Sequence, residues 1–439
     1  PVTANGKLDR AALPKPAGRT AVTADYVPPR TATEEILAAA AATVLGLDRV
    51  GIDDNYFAVG GDSIRSVMIA SRAQASGVDV TVADLHRLPT VRQCAAYLDA
   101  REEPGEPPRT EPFTLVGEED RMRMPAEVED AFPLNLLQEG MIFHRDFAAK
   151  SAVYHAIASV RLRAPFDLDV MRVVVRQLLE RHPMLRTSFD MSTFSRPLQL
   201  VHGVFETPLH HEDLREMAPE EQDARIGRWI EWEKERGFDL DEYPLIRFTV
   251  HRVADDVFQF TYGFHHEIVD GWSEALMIAE LFSHYFSIVF DEPVAIRPPT
   301  STMRDAVALE LAALEDRRNH EFWDSYLADA TLMRLPRMDA GPRADKGDRQ
   351  IVRIEIPVPV ELSDRLKELA LANAVPLKTA LMAAHMAVMS TYGGHTDTLT
   401  YTVTNGRPET ADGSTAIGLF VNSLALRVRM AGGSWRDLI

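Results

Sequence analysis

The stretch at residues 258–273, FQFTYGFHHEIVDGWS, most constrains what this chain can fold into. Its aromatic residues at 258, 260, 262 and 264 recur with a period of two, which predicts a β-strand with one apolar face. His266 continues the parity of that face, whereas His265 falls on the opposite face. The strand should therefore present a positioned, partly dehydrated imidazole at its end. An imidazole of ordinary pKa, about 6.5, can accept a proton near neutrality.

The residues after the histidines are typical of a turn followed by a helix. Gly271 can turn the chain, and Ser273 is expected to cap a helix that continues to Phe290. Asp270 is expected to fix the loop through an ion pair rather than to contact a substrate. A histidine on an apolar face is usually a satisfied core residue, so spacing alone leaves both the structural and the catalytic interpretation open.

Composition limits the classes of function. The 439 residues predict two to four domains, and 46% hydrophobic with 26% charged content is ordinary for a globular protein. No run approaches the ~20 apolar residues of a membrane span and no signal peptide opens the chain, so a cytoplasmic protein without membrane contact is expected. A net charge of -19 disfavours nucleic acid as a partner. The single cysteine, Cys94, excludes an internal disulfide and is expected in a core; no metal site is predicted.

A small helical domain is predicted from Tyr26 to Asp99. Thr31 with Glu34 forms a capping-box start for its first helix, which ends at Gly46. Further helices are expected after Ser63, at 84–88, and at 91–98 behind the cap Thr90.

Ser63 is the informative residue of this domain. It follows two glycines, which allow close approach of a partner, and it stands at a helix start, where N–H groups favour an incoming phosphate. The alternative is that Ser63 is only an N-cap.

The remainder begins with a linker and continues as an α/β chain. Residues 100–126 are rich in Pro, Glu, Arg and Gly, which is typical of a linker. Beyond it, strand-like and helical patterns interleave. The predicted helices are 169–181, 219–236, 273–290, 303–327, 360–373 and 377–392, and the predicted strands are 156–162, 244–253, 257–264, 349–356, 397–403 and 423–428.

Several motifs, in order, resemble known families. HHEIVDG at 265–271 resembles the HHxxxDG motif of nonribosomal peptide synthetase condensation domains and their chloramphenicol acetyltransferase relatives. The segments PLNLLQEGMIFH, RHPMLRTSF, NGRPE and IGLFVNS, at 133–144, 181–189, 405–409 and 417–423, resemble other motifs of that family. DNYFAVGGDSI at 54–64 resembles the core of peptidyl carrier proteins, and NGKLDR at 5–10, with Lys7, resembles the last motif of adenylation domains.

These resemblances imply a multidomain chain. Residues 1–16 would be an adenylation-domain remnant, 26–99 an all-α four-helix carrier bundle, 100–126 a linker, and 127–439 an α/β chloramphenicol-acetyltransferase-like, two-lobed condensation domain whose second lobe is incomplete. Ser63 would carry covalent 4'-phosphopantetheine. The implied partners are a phosphopantetheinyl transferase, an upstream adenylation domain and a downstream acceptor carrier protein bearing an aminoacyl thioester.

The resemblance also implies the roles of site residues. His266 would be the main catalytic group, accompanied by His265 and Asp270, with a weaker expectation that the N–H of Gly271 stabilises an oxyanion. Arg407 is the expected ion-pair partner of Asp270, with Arg186 and Arg247 as alternatives. His144 and His182 are expected to pack or to hydrogen bond locally. Met303 stands where the family more often has an aromatic residue before the pair Arg304 and Asp305, so that contact should be altered.

The implied reaction is amide bond formation between a donor acyl thioester and the amine of an acceptor aminoacyl carrier. Epimerisation domains keep the histidine motif but open with a different first motif, and recruitment domains without activity usually lose the second histidine. Heterocyclisation domains replace both histidines with aspartates. The form QEGM at 138–141 favours a D or achiral donor.

Overall fold

The computed structural model describes residues 26–101, 109–147, 154–331 and 354–438, apart from residues 293, 295, 297, 374, 411 and 431. The adenylation-like segment with Lys7 lies outside the described residues. The chain divides into two compact units. The first unit contains described residues of 26–101, 325–402 and 425–438, and the second unit contains those of 109–324 and 403–424. None of the helices described is long and apolar enough to cross a membrane.

Helices and strands are mixed along the chain after an all-helical beginning. Helices α1 to α14 are Ala32–Leu45, Ser63–Gln74, Val82–Arg87, Val91–Ala100, Glu118–Met122, Leu136–Phe147, Leu168–Arg181, Pro219–Arg236, Gly271–Val289, Met303–Glu315, Arg317–Leu327, Val360–Ala372, Leu377–Gly393 and Trp435–Leu438. Strands β1 to β9 are Val128–Pro133, His155–Arg163, Thr187–Asp190, Leu198–His202, Leu209–Asp213, Ile246–Ala254, Val257–His265, Asp397–Asn405 and Val421–Arg429.

Helices α1 to α4 form the predicted four-helix bundle around an apolar core that includes Cys94. The side chains of Thr31 and Thr90 cap α1 and α4 as expected. One detail of the prediction is wrong, and one open alternative is decided. Glu34 accepts the N–H of Arg30 rather than completing a capping box with Thr31. Helix α2 is capped by Asp62, whose side chain accepts the N–H of Arg65, so Ser63 is its first residue and not its cap.

The central sheet of the second unit has the order β2-β7-β6-β5. Strand β7 lies between β2 and β6, antiparallel to both, and β5 runs parallel to β6. The aromatic side chains at 258, 260, 262 and 264 are all buried in one apolar cluster with residues of α7 and α9, which confirms the predicted apolar face. Gly263 and His265 lie on the opposite face, where a Cβ on Gly263 would come within 3.4 Å of Glu233 of α8.

Some predicted elements differ from the structure. The single helix at 303–327 is two helices, because Asp316 leaves the helical conformation and its carboxylate accepts the N–H of Arg318. The described end of the strand predicted at 349–356 is not a strand, and Ile354 and Ile356 are exposed there. The expected helix cap Ser273 is also wrong, since Asp270 is the N-cap of α9.

The segment assigned to a linker includes residues packed into the second unit. The N–H and hydroxyl of Thr110 both donate to Asp305, and Arg304 donates to the Thr110 carbonyl and to Asp130. Phe113 donates its N–H to Asp130 at 2.8 Å. These bonds give buried Arg304 and Asp305 their partners and anchor the chain ahead of β1.

Candidate active site and carrier serine

His266 lies immediately after β7 and is held mainly by its backbone. Its N–H donates to the carbonyl of Tyr154 at 2.8 Å, and its ring packs edge-on against Phe264 with centroids 6.3 Å apart. The ring is half-buried, and its Nδ1 is buried without a hydrogen-bond partner among the described residues. No described carboxylate is hydrogen bonded to this imidazole, so the arrangement lacks the orienting acid that strengthens a histidine base.

His265 is a buried, neutral histidine. Its ring lies between those of Tyr154 and Phe238, at centroid distances of 6.4 and 6.5 Å. Burial, with smaller contributions from Arg145 and neighbouring histidines, lowers the pKa of His265 to about 3. The N–H of Glu267 points at its Nδ1 from 3.4 Å, as a neutral acceptor nitrogen requires. The Glu267 carboxylate, 3.9 Å away, therefore does not form an ion pair with it.

Asp270 and Arg407 form a buried ion pair that locks the loop after His266. Nη2 of Arg407 lies 3.1 Å from Oδ1 of Asp270, and both side chains are 1% exposed. Asp270 also accepts the N–H groups of Ser273 and Phe420, at 2.7 and 3.0 Å. Burial lowers the pKa of Arg407, and the charge of Asp270 opposes that shift. The pair thus joins the start of α9 to the segment that leads into β9.

The other expected candidates lie elsewhere. Arg186 is bound to Glu129 at 2.6 Å, and Arg247 to Glu233 at 2.7 Å, so neither is the partner of Asp270. Gly271 is the first residue of α9 and is exposed; a Cβ there would meet no atom within 4 Å. His182 is buried and bonded to Glu280 at 2.8 Å, which is the local hydrogen bonding expected of it.

Residues of the opening motif are tied to the histidine loop, which sequence reasoning did not anticipate. Gln138 donates its amide to the carbonyl of Glu267 at 3.0 Å, and Asn135 donates to the carbonyl of Leu419 at 3.0 Å. Both side chains are buried and also bond to each other's backbone N–H. The start of α6 therefore holds the loops on both sides of the Asp270–Arg407 pair.

Tyr154 is a further site residue, and no sequence pattern pointed to it. Its φ of 75° lies in the left-handed region, which is unusual for a residue with a side chain. Its carbonyl holds His266, and its hydroxyl lies 3.2 Å from Nδ1 of exposed His144. Burial and the charge of Glu267 raise the pKa of Tyr154.

A buried polar cluster lies behind the end of β7. Oε1 of Glu233 accepts the Nε–H of Arg247 at 2.7 Å, forms an ion pair with its Nη2 at 2.6 Å, and lies 3.8 Å from His155. Burial, reinforced by the charge of Arg247, lowers the pKa of His155 to about 4. Arg247 also stacks on Phe238, whose ring contacts His265, so the cluster supports the histidine pair from the back of the sheet.

Ser63 begins α2 behind a rigidly held loop. A Cβ on Gly61 would come within 2.2 Å of the Tyr56 ring, so only glycine allows this approach. The Tyr56 hydroxyl is 2.6 Å from the Ser66 hydroxyl, one turn along the helix. Ile64 and Met68 on the same helix are exposed. A phosphopantetheine arm on Ser63 fits this arrangement, because Ser63 is the first residue of α2 and Asp62 supplies the cap. Among the described residues, no cluster of His, Cys, Asp or Glu could hold a metal ion.

Family models match most of the chain. A condensation-domain model matches residues 128–438, and a phosphopantetheine attachment site model matches residues 35–98. The chain is 31% identical to AMB antimetabolite synthetase AmbE of Pseudomonas aeruginosa over 98% of its own length and 20% of that protein. It is 30% identical to tyrocidine synthase 3 of Brevibacillus parabrevis over 97% of its length and 6% of that protein. It therefore spans a fifth or less of these two relatives.

Solved structures show the same fold. The first condensation domain of the calcium-dependent antibiotic synthetase matches with a TM-score of 0.54 at 19% identity, over 71% of this chain and 72% of that one. The EpoB cyclization-docking bidomain of Sorangium cellulosum matches with a TM-score of 0.57 at 18% identity, over 72% and 64%. The expected helical carrier followed by a mixed α/β domain is confirmed.

Proposed function

Because this chain belongs to the condensation-domain family of nonribosomal peptide synthetases and carries a phosphopantetheine attachment domain before it, we propose that it forms an amide bond. The donor is an acyl thioester presented from Ser63, and the acceptor is the amine of an aminoacyl group on a second carrier. The observation that carries this proposal is His266, a half-buried imidazole fixed at the end of β7 with no orienting carboxylate among the described residues.

In the proposed reaction the acceptor nitrogen attacks the thioester carbon, the C–N bond forms and the C–S bond breaks. A phosphopantetheine arm, when attached, supplies the sulfur that holds the donor and tethers it at high local concentration. The nitrogen loses one proton, and the leaving sulfur gains one. A thioester is reactive enough that orientation supplies much of the rate. His266 therefore acts first by positioning the amine and secondarily as a transient proton acceptor.

Apart from Gly271, the other site residues act on His266 rather than on the substrate. Neutral His265 and the carbonyl of Tyr154 fix the backbone that carries His266. The Asp270–Arg407 pair fixes the loop that follows. The N–H of Gly271, at the helix start, is proposed to help stabilise the oxyanion, where the helix dipole favours negative charge. The proposed partners are a phosphopantetheinyl transferase, an adenylation domain that loads Ser63, and an acceptor carrier protein.

The test follows the acyl group by intact-protein mass spectrometry. Ser63 is loaded with a donor aminoacyl-phosphopantetheine by a promiscuous transferase, and a separate aminoacyl carrier is added. We expect a dipeptide on the acceptor, lost in His266→Ala and retained in His320→Ala, which removes an exposed histidine on α11.

Three results would contradict the proposal. Loaded Ser63 without transfer to any of a panel of acceptors would indicate a recruiting domain. Deuterium uptake at the donor α-carbon without transfer would indicate epimerisation. Retained transfer in His266→Ala would remove His266 from the mechanism.

A further inference from the structure

A large cleft opens on the α8 side of the second unit, away from the apolar face of β7. Its volume is about 890 Å³, and every residue that lines it falls between Val204 and Thr249. This size is in the range of small-molecule sites. Its walls carry aromatic side chains, contributed by Phe205, Trp229, Trp232, Phe238 and Tyr243. His266 is not among its lining residues.

One lining residue of the cleft carries a buried carboxylate oxygen that lacks a donor. Glu233 lines the cleft and is fully buried. Its Oε1 accepts the Nε–H of Arg247 and forms an ion pair with its Nη2, but its Oε2 has no hydrogen-bond partner among the described residues. A buried acceptor of this kind is unfavourable unless something donates to it. A ligand with N–H groups would supply the missing donor to Oε2 of Glu233.

The charges around the cleft favour a cation. The lining includes four carboxylates, of Glu206, Glu233, Asp239 and Glu242, against the two guanidinium groups of Arg236 and Arg247. Arg247 is committed to Glu233 and stacks on Phe238 at 3.7 Å. Arg236 already lies over the ring of Trp232 at 5.3 Å, which shows that this wall accepts a cation.

We propose that this cleft binds an organic cation, an ammonium or guanidinium group on an apolar body. Its N–H groups donate to Oε2 of Glu233, its charge is balanced by the surrounding carboxylates, and its apolar part packs on the aromatic walls. The site is separate from that of the proposed condensation. The cleft lies close to the end of β7, because the ring of Phe238, which lines the cleft, is 6.5 Å from the ring of His265.

The experiment measures binding directly, so it does not depend on the condensation reaction. 2-Phenylethylammonium is titrated into the full chain by calorimetry, with 2-phenylethanol as the neutral probe of the same shape. We expect saturable binding of the ammonium and at least tenfold weaker binding of the alcohol. Glu233→Gln removes the charge of the buried lining carboxylate. Trp232→Ala, at an exposed lining residue, tests the site without disturbing the buried ion pair.

We expect Glu233→Gln, Trp232→Ala and Glu242→Gln each to weaken binding severalfold. Glu231→Gln is the matched control, because Glu231 is exposed on the same helix, is paired with Lys234 and does not line the cleft. Equal binding of ammonium and alcohol, no saturable binding of either, or undiminished binding in both Trp232→Ala and Glu242→Gln would each overturn the proposal.

Discussion

Lowering the pH below 6.5 should destabilise the second unit through its buried histidines. Burial is the main cause of a lowered pKa in four of them, to about 4 in His155, His202 and His251 and to about 3 in His265. All four side chains are buried. They are therefore neutral in the folded protein at pH values where the unfolded chain, with an ordinary histidine pKa of about 6.5, is protonated.

The sign follows from proton uptake. Between pH 6.5 and about 4 the unfolded chain binds more protons than the folded chain, so the free energy of unfolding rises with pH in this window. The stabilisation is complete above pH 6.5 and is lost as the pH falls. Each group contributes about 1.4 kcal/mol per pH unit, hence about 2 kcal/mol at pH 5. Four groups together contribute roughly 8 kcal/mol, which is comparable to the whole stability of a typical domain, about 5–15 kcal/mol.

The assay is urea unfolding followed by tryptophan fluorescence at pH 7.5, 6.0 and 5.0. His251→Leu removes one titrating group, whose ring packs against Trp229 and has no hydrogen-bond partner among the described residues. It should reduce the slope of unfolding free energy against pH by about one proton. His320→Gln, on the exposed face of α11, should leave the slope unchanged. If the parent protein takes up one proton or fewer on unfolding at low pH, or if His251→Leu leaves the slope of unfolding free energy against pH unchanged, the explanation is refuted.

Two further substitutions test the loops that carry the site. Asp270→Asn leaves Arg407 buried without its counter-charge and should lower the unfolding free energy by about 3–5 kcal/mol. The N–H of Phe420, which donates to Asp270, should exchange its hydrogen faster. Asp256→Asn, at an exposed aspartate, should change neither quantity. Gly61→Ala places a methyl group 2.2 Å from the Tyr56 ring and should lower the unfolding free energy by about 1–3 kcal/mol. It should also slow the attachment of phosphopantetheine to Ser63, which mass spectrometry measures. Gly117→Ala is the control, because a Cβ there meets no atom within 4 Å.

Periodicity in the sequence predicts those strands and helices that bury one regular apolar face. The aromatic residues of β7 alternate in the sequence and are all buried in the structure, because a strand covered on one face needs that alternation. Short strands such as β3 and β5 were missed, since four or five residues carry too little periodic signal. The sequence motifs limit the ion-pair partner of Asp270 to three candidate arginines. Only the fold shows that the partner is Arg407, which lies 137 positions later in the chain.

The sequence did not predict the buried polar cluster of Glu233, Arg247 and His155 behind the histidines, for a different physical reason. Helix α8 is rich in charge, and a glutamate in such a helix is normally solvated. Glu233 is nevertheless buried, because Gly263 leaves space on the back of β7 where a Cβ would lie 3.1 Å from His155 and 3.4 Å from Glu233. A glycine inside a strand often marks such a close approach. Gly263 is thus the one sequence signal for the cluster, and it links the charged helix, the cleft and the strand that ends in His265 and His266.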